Sequence, residues 1–171
     1  MIIKPFRGDY AFLSNMWEAE IVYDLISYPS SEHAYQAQKF KDQAIKLRVA
    51  ALLTPGEAKR FPREHPELQT YSSRADWDQR KLYVMERVIK AKFQQHPKLA
   101  QMLKETMPHE LVEEGWWHDN FYGTCTCGNR DGRHKRCLLP GKNHLGRILM
   151  LERKSLLKKG DLSEPKIRWD W

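Results

Sequence analysis

The segment DWDQRKLYVMERVIKAKFQQ, residues 76–95, is the longest stretch of the chain that keeps a single period. Leu82, Met85, Ile89 and Phe93 recur at helical spacing and Val88 fills the same face, which predicts a long amphipathic helix. Shorter helices surround it. Pro97 opens one in PKLAQMLKET. TPGE at 54–57 has the form of a capping box, with Thr54 as N-cap, Pro55 at the first helical position and Glu57 three residues on. The helix it starts is expected to stop at Pro62, which has no N–H for the helical ladder. Residues 31–40 read as a helix that either continues or restarts through QAIKLRVAALL, and a last helix covers about 145–158. Strand signals are short: IIKPF, EIVYDLISY with a turn at Asp24-Leu25, and HELVEE. The pattern is α+β, a helix-rich single domain with small β elements. The sequence has no alternating βαβ units, no G-x-G-x-x-G turn and no Walker loop, which argues against a Rossmann or P-loop nucleotide site.

At 171 residues the chain suits one domain with a real core. Its apolar runs fall short of the roughly 18 residues that mark a membrane span, so no membrane partner is expected. MIIKPFRGDYAF lacks the charged-then-apolar order of an export signal. Three cysteines without such a signal fit a reducing, cytoplasmic setting and no disulfide framework. The formal net charge is +7, and it is one-sided: residues 130–168 hold 12 Lys/Arg against 4 Asp/Glu. That region suits nucleic acid or a phosphate-bearing ligand, and a plain solvated surface fits it equally well. Residues 115–144 have no period and are rich in Gly, aromatic and polar residues, so they read as a long ordered loop of the kind that carries function. Cys125, Cys127 and Cys137 lie there, near His118, His134 and His144. C-x-C is tighter than the usual zinc spacing and the fourth ligand is ambiguous, so the spacing assigns no metal. The tail, 159–171, carries Trp169 and Trp171, which are expected to dock on the body or on a partner.

Three segments gather polar residues beside glycines and aromatics: FLSNMW (12–17), SSEHAYQAQK (30–39) and residues 116–150. In the second, Glu32, Gln36 and Lys39 sit at i, i+4 and i+7 with Tyr35 beside them, so a helix aligns them on one stripe. Periodicity leaves open whether that stripe is a wet face or a pocket wall. The order FLSN, YPSSEHAYQAQK, W…R…VM…KF, LVE, D…YG and NHLGRILM…R resembles the NADAR (YbiA-like) family over about residues 6–153. The resemblance implies an N-glycosidase domain over 1–158. Its substrate would be a phosphorylated ribosyl compound cut at the ribose C1′–N bond. Two kinds are implied: phosphoribosyl-amine intermediates of the riboflavin pathway, and ADP-ribosylated guanine in nucleic acid. Such hydrolysis needs no cofactor and no metal.

Breaking that bond builds positive charge on the sugar, which a carboxylate can stabilise or relieve by activating water. Taken with the resemblance, Glu32 is the expected catalytic carboxylate, in the first turn of a helix where the dipole favours its ionised form. Asp119 is expected as a second carboxylate or a ribose ligand. Lys39 either holds phosphate or forms a Schiff base with ring-opened ribose. Gln36 suits sugar hydroxyls. Ser14 and Asn15, in LSN, and Asn143 are candidates for ligand contact, and the asparagines equally for turns. Trp77, Trp117 and Tyr122, the last followed by Gly123, could stack on a base. Arg80 could pair with phosphate. Gly146 permits close approach at a helix start. His33 points away and reads as a packing or capping residue. Tyr122-Gly123 stands where the family usually has Trp-Gly, Met16 replaces an aromatic, Leu25 replaces a turn glycine, and KRFPRE (59–64) replaces Gly-Arg. These departures bear on base preference more than on reaction type. The competing readings are a non-enzymatic binding module for ADP-ribose or nucleic acid, and a degenerate scaffold.

Overall fold

The computed structural model describes residues 1–68, 75–128 and 135–161. In chain order the elements are β1 (Ile2–Ile3), a 3-10 turn (Gly8–Leu13), β2 (Glu18–Tyr23), β3 (Ile26–Ser30), α1 (Ser31–Ala37), α2 (Gln43–Ala50), α3 (Pro55–Glu64), α4 (Trp77–Gln95), α5 (Pro97–Glu105), β4 (Glu110–Leu111), β5 (Glu114–Gly115), β6 (Thr124–Cys125), a second 3-10 turn (Lys135–Leu138) and α6 (His144–Asp161). The fold is helix-rich α+β, as the patterning predicts. Trp169, Trp171, His134 and the outer parts of the basic region lie outside the described residues. Among the described residues no helix is long and apolar enough to cross a membrane.

The long helix α4 is central and packs against β2, α1, α5 and α6. Its buried face holds Val84, Met85, Val88, Ile89 and Phe93, each such side chain contributing about 1.5–3 kcal/mol by leaving water. Two residues depart from the expected stripe. Leu82, at its edge near the helix start, stays 37% exposed, while Lys92 within it is 0% exposed.

The local signals explain the other elements. Ser30 caps α1 by accepting from the His33 N–H, and His33 packs inside, its ring nitrogens bonded to Ser30 Oγ and the Leu52 carbonyl. The chain then breaks and restarts, with Asp42 capping α2 through the Ala44 N–H. The Thr54–Glu57 capping box forms in both directions. Pro62 does not stop α3, which runs on to Glu64. Pro62 removes one N–H near the helix end, and Phe61 and Pro62 are both buried there. Asp24 and Leu25 take positive φ of 52° and 64°, closing a two-residue hairpin turn of the kind that matches strand twist. HELVEE divides into two strands: β4 pairs parallel with β1, and β5 pairs parallel with β6.

The described parts of 115–144 are ordered by pairing along their own length. Residues 120–123 run beside 142–145 through the bonds Lys142 N to Asn120 O, Asn143 N to Gly123 O, His144 N to Phe121 O and Leu145 N to Tyr122 O. Asn143, at φ 48°, accepts the Glu113 N–H on Oδ1 at 3.0 Å and donates Nδ2 to the Leu111 carbonyl at 2.9 Å. Gly146 lets α6 begin against β4, since a Cβ there would lie 2.1 Å from the Leu111 oxygen. Further along, Arg153 donates to Thr106 Oγ1 and the His109 carbonyl.

The tightness at Gly146 has a measurable consequence. Gly146→Ala should cost about 1–3 kcal/mol in urea unfolding, because helix and strand must separate to admit one methyl. An unchanged midpoint would mean the α6–β4 approach is slack.

Candidate active site

A cleft of about 630 Å³ opens where the 3-10 segment, α1, α3, α4 and the loop after β5 meet. Its lining includes Ser14, Asn15, Glu32, Gln36, Lys39, Trp117, Asp119 and Tyr122. The stripe on α1 is therefore a pocket wall: Glu32 is only 6% exposed. Gln36 Nε2 donates to Glu32 Oε1 at 2.8 Å, and the Glu32 backbone N–H donates to the Asn15 carbonyl at 3.1 Å. The helix start thus holds both the carboxylate and the neighbouring Ser14–Asn15 wall. Asp119 accepts the N–H groups of Phe121 and Tyr122 on Oδ1, at 2.9 and 2.8 Å. It makes the turn and lines the cleft at once.

Other predicted residues lie around this lining. Trp77 packs on Tyr35 with ring centroids 5.1 Å apart, and Lys39 Nζ stands over both rings at 5.8 and 5.9 Å. Arg80 is not brought to the cleft. It is exposed, pairs with Asp76 one turn back, and lines a separate depression beside β2. Asn143 sits behind the wall, tied to the backbones of Leu111 and Glu113. Gly123 and Gly146 are backing residues too, since the space beside each is taken by main chain of 111–113. Close approach at Gly146 is to protein rather than to phosphate.

Several lining residues were not singled out from sequence. Glu113 is one; it stands in the LVE triplet, whose spacing alone gives no role. Arg7 and Lys59 are others, and Tyr35, noted beside the stripe but given no role, lines the cleft too. Tyr35 and Tyr122 share a hydroxyl–hydroxyl bond of 2.9 Å, and Tyr122 Oη donates to the Lys81 carbonyl. Lys92 is outside the lining but governs it. Its Nζ donates to the Phe12 and Ser14 carbonyls at 2.6 and 2.9 Å. A lysine inside the apolar stripe of α4 was the sequence signal for it.

The electrostatics of the cleft are dominated by burial. Burial raises the Glu32 carboxyl above its ordinary value and Asp119 adds to this, while the Gln36 bond, Lys59 and Lys39 pull it back. Glu113 is pushed up to about 7, first by burial and then by Asp119, against Lys59 and Arg7. Burial lowers the Lys39 amine, with Glu32 opposing. Asn15 Oδ1, Gln36 Oε1 and Glu113 Oε2 are buried without a hydrogen-bond partner in the protein. Buried polar atoms are rarely left so, and three around one cleft suit a polyhydroxylated ligand.

A second cluster lies behind the Trp117–Asp119 loop. One donor atom each from His118, Cys125, Cys127 and Cys137 lie within 4.8 Å of one another. The spacing argument against a metal does not hold here. Cys125 ends β6 and Cys127 lies in the bend just after it, and this bend brings the two sulfurs close despite the short C-x-C spacing. His118 supplies the fourth donor, while His144 packs on Phe121.

Comparison with known proteins shows the family. The NADAR domain family model matches residues 3–157. The chain belongs to the NADAR family. It is 34% identical over 148 residues to the N-glycosidase YbiA of Escherichia coli, covering 86% of this chain and 82% of that one. The NMR structure of E. coli YbiA superposes with a TM-score of 0.77 at 29% identity, covering 98% of this chain and 90% of that one. A riboflavin biosynthesis protein of Vibrio vulnificus is 35% identical over 86% of this chain, which spans 36% of that longer protein. The chloroplastic riboflavin biosynthesis protein PYRR of Zea mays is 36% identical over 78% of this chain, which spans 20% of it. Within this NADAR domain the departures from family pattern divide. Met16, Lys59 and Tyr122 line the cleft, whereas Leu25 lies at the hairpin tip, 96% exposed.

Lys92 offers a direct test of how the wall is held. Lys92→Met keeps the length and removes both donors, so it should cost about 2–4 kcal/mol in unfolding and raise KM several-fold. Its pH signature is specific. Burial lowers the Lys92 amine to about 7, against an unfolded value of about 10.4. The unfolded chain therefore binds more protons between those values, and stability rises with pH across that window. The rise attributable to Lys92 should be missing from the variant, read as the difference between two unfolding series.

Proposed function

We propose that this NADAR domain is an N-glycosidase acting on a phosphoribosyl-amine intermediate of the riboflavin pathway. The observation that carries the reading is the convergence of Glu32, Glu113 and Asp119 in one cleft rimmed by Lys39, Lys59 and Arg7. The relatives' names, N-glycosidase and riboflavin biosynthesis protein, support the same chemistry. A cleft of about 630 Å³ lies in the range of about 300–1,000 Å³ that encloses a small-molecule ligand. The strand that carries an ADP-ribosylated guanine would have to stay outside it.

The chemistry follows from the carboxyls. Glu32, ionised, faces the positive charge that develops at C1′ and takes a proton from the attacking water. As the water oxygen bonds to C1′, the C1′–N electron pair passes to nitrogen. Glu113, which titrates near neutrality, hands its proton to that nitrogen. The products are a hydroxyl at C1′ and a free amine, and solvent resets the two carboxyls. Lys39, seated over Tyr35 and Trp77, holds the phosphate with Lys59 and Arg7. Asn15 and Gln36 bond the sugar hydroxyls.

Three measurements test this. Glu32→Gln should reduce release of free amine from a phosphoribosyl-amine by about 10²–10⁴-fold with an unchanged unfolding midpoint; undiminished turnover would remove Glu32 from the mechanism. An ADP-ribosylated guanine oligonucleotide run in parallel should turn over far more slowly, and the reverse order would reassign the substrate. Borohydride should trap no adduct at Lys39, since trapping would make that lysine a nucleophile.

The pH dependence has a defined sign on each side. Glu113 must be protonated, so kcat/KM should fall as pH rises through about 7. Glu32 must be ionised, and its raised value means activity is lost on acidification earlier than for an ordinary carboxylate. Glu113→Gln should lower the rate and flatten the alkaline limb alone. An alkaline limb that survives in the variant would assign it to another group.

A further inference from the structure

We propose that His118, Cys125, Cys127 and Cys137 form a structural zinc site that fixes the cleft loop from behind. The site is separate from the carboxyl chemistry and does not depend on the substrate assigned above.

The geometry is already close to that of a coordination sphere. At a Zn–S distance of about 2.3 Å and a Zn–N distance of about 2.0–2.1 Å, the ligands of a tetrahedron stand roughly 3.5–3.8 Å apart. Cys137 Sγ and His118 Nδ1 are 3.5 Å apart, and all four donor atoms lie within 4.8 Å of one another. The remaining separations need to contract by about 1.3 Å or less. None of the three cysteines is in a disulfide. The Cys127 N–H donates to Cys125 Sγ at 3.4 Å, an outer bond that orients a sulfur ligand and favours its thiolate form.

The donor set selects the metal class. Three sulfurs and one imidazole nitrogen in a tetrahedron suit zinc, and four protein ligands close the sphere against water or substrate. Cys125 and Cys137 are buried, which suits a structural site. The site therefore staples and does not catalyse.

What it staples is specific. His118 stands between Trp117 and Asp119, both of which line the cleft. Cys125 comes from β6 and Cys137 from the second 3-10 turn. A metal bound by all four ties the cleft loop to two segments beyond it and removes loop entropy from the unfolded chain.

The test is metal content of the full chain, purified without chelator and measured by plasma mass spectrometry. One zinc per chain is expected. Cobalt added to chelated protein should give the absorption of a tetrahedral, thiolate-ligated ion. His118→Ala, Cys127→Ser and Cys137→Ser should each lose stoichiometric metal, while His118→Cys should retain it by supplying a fourth thiolate. Chelation should lower the unfolding midpoint and speed amide exchange in 117–127. No metal, iron in its place, a disulfide among the three cysteines, or undiminished zinc in the Cys137→Ser variant would each overturn the proposal.

Discussion

One buried amine carries much of the architecture of the cleft. Lys92 reaches from the apolar face of α4 to two carbonyls of the segment that ends in Ser14. That segment has no long strand or helix to hold it; its own secondary structure is one 3-10 turn. The next residue, Asn15, accepts the Glu32 N–H. A chain of bonds thus runs from the core helix through the wall to the start of α1, where the carboxylate stands. A neutral amine has two N–H donors and two carbonyls receive them, so the contact remains satisfied when burial strips the charge. An apolar residue at 92 could fill the space but would take the amine donor from both carbonyls, leaving that of Ser14 with the Trp17 N–H at 3.3 Å.

The opposite wall solves the same problem with an amide. Asn143 behaves like a short piece of strand, giving and accepting one bond with 111–113 just before α6 begins. Gly146 completes the approach. Glu113 is thereby fixed at its backbone while its side chain faces the cleft. Glu32 and Glu113 share the raising effects of burial and of Asp119 but differ in compensation. Glu32 is opposed by the Gln36 bond and two lysines, whereas Glu113 is opposed by Lys59 and Arg7. That difference separates a group suited to carry charge from one suited to hold a proton near neutrality.

The fold was largely legible because its strongest signals are local: caps, a proline at a helix start and one long amphipathic period. The stripe of Glu32, Gln36 and Lys39 was legible as a stripe, but its burial was decided by segments far away in sequence. The residues missed share a cause. Lys92 was hidden because an isolated lysine in an apolar stripe is ordinarily discounted. Glu113 sits among acidic neighbours that face solvent or ion pairs, such as Glu114 with Lys4. Arg80 shares a helix face with Trp77 by spacing, but its guanidinium turns back to Asp76 and lines the depression beside β2. Gly123 and Gly146 fit a ligand contact by sequence because close approach to a ligand and to one's own backbone demand the same residue, whereas Asn143 takes the turn-fixing alternative of the two its sequence leaves open.

The loop after β5 shows why an irregular segment can still hold a reactive group in place. Asp119 lies on no helix or strand, and its Oδ1 is already spent on two N–H groups of its own turn. Such a turn is rigid only if its ends are fixed. On one side, residues 120–123 are bonded along 142–145, anchoring the turn to the start of α6. On the other, the ring of His118 lies close to the sulfurs of Cys125 in β6 and of Cys127 and Cys137 beyond it. Asp119 is caught between these two anchors. Freedom at either end would move a carboxylate whose field raises both Glu32 and Glu113, so proton affinity in the cleft is coupled to the order of the loop that carries Asp119.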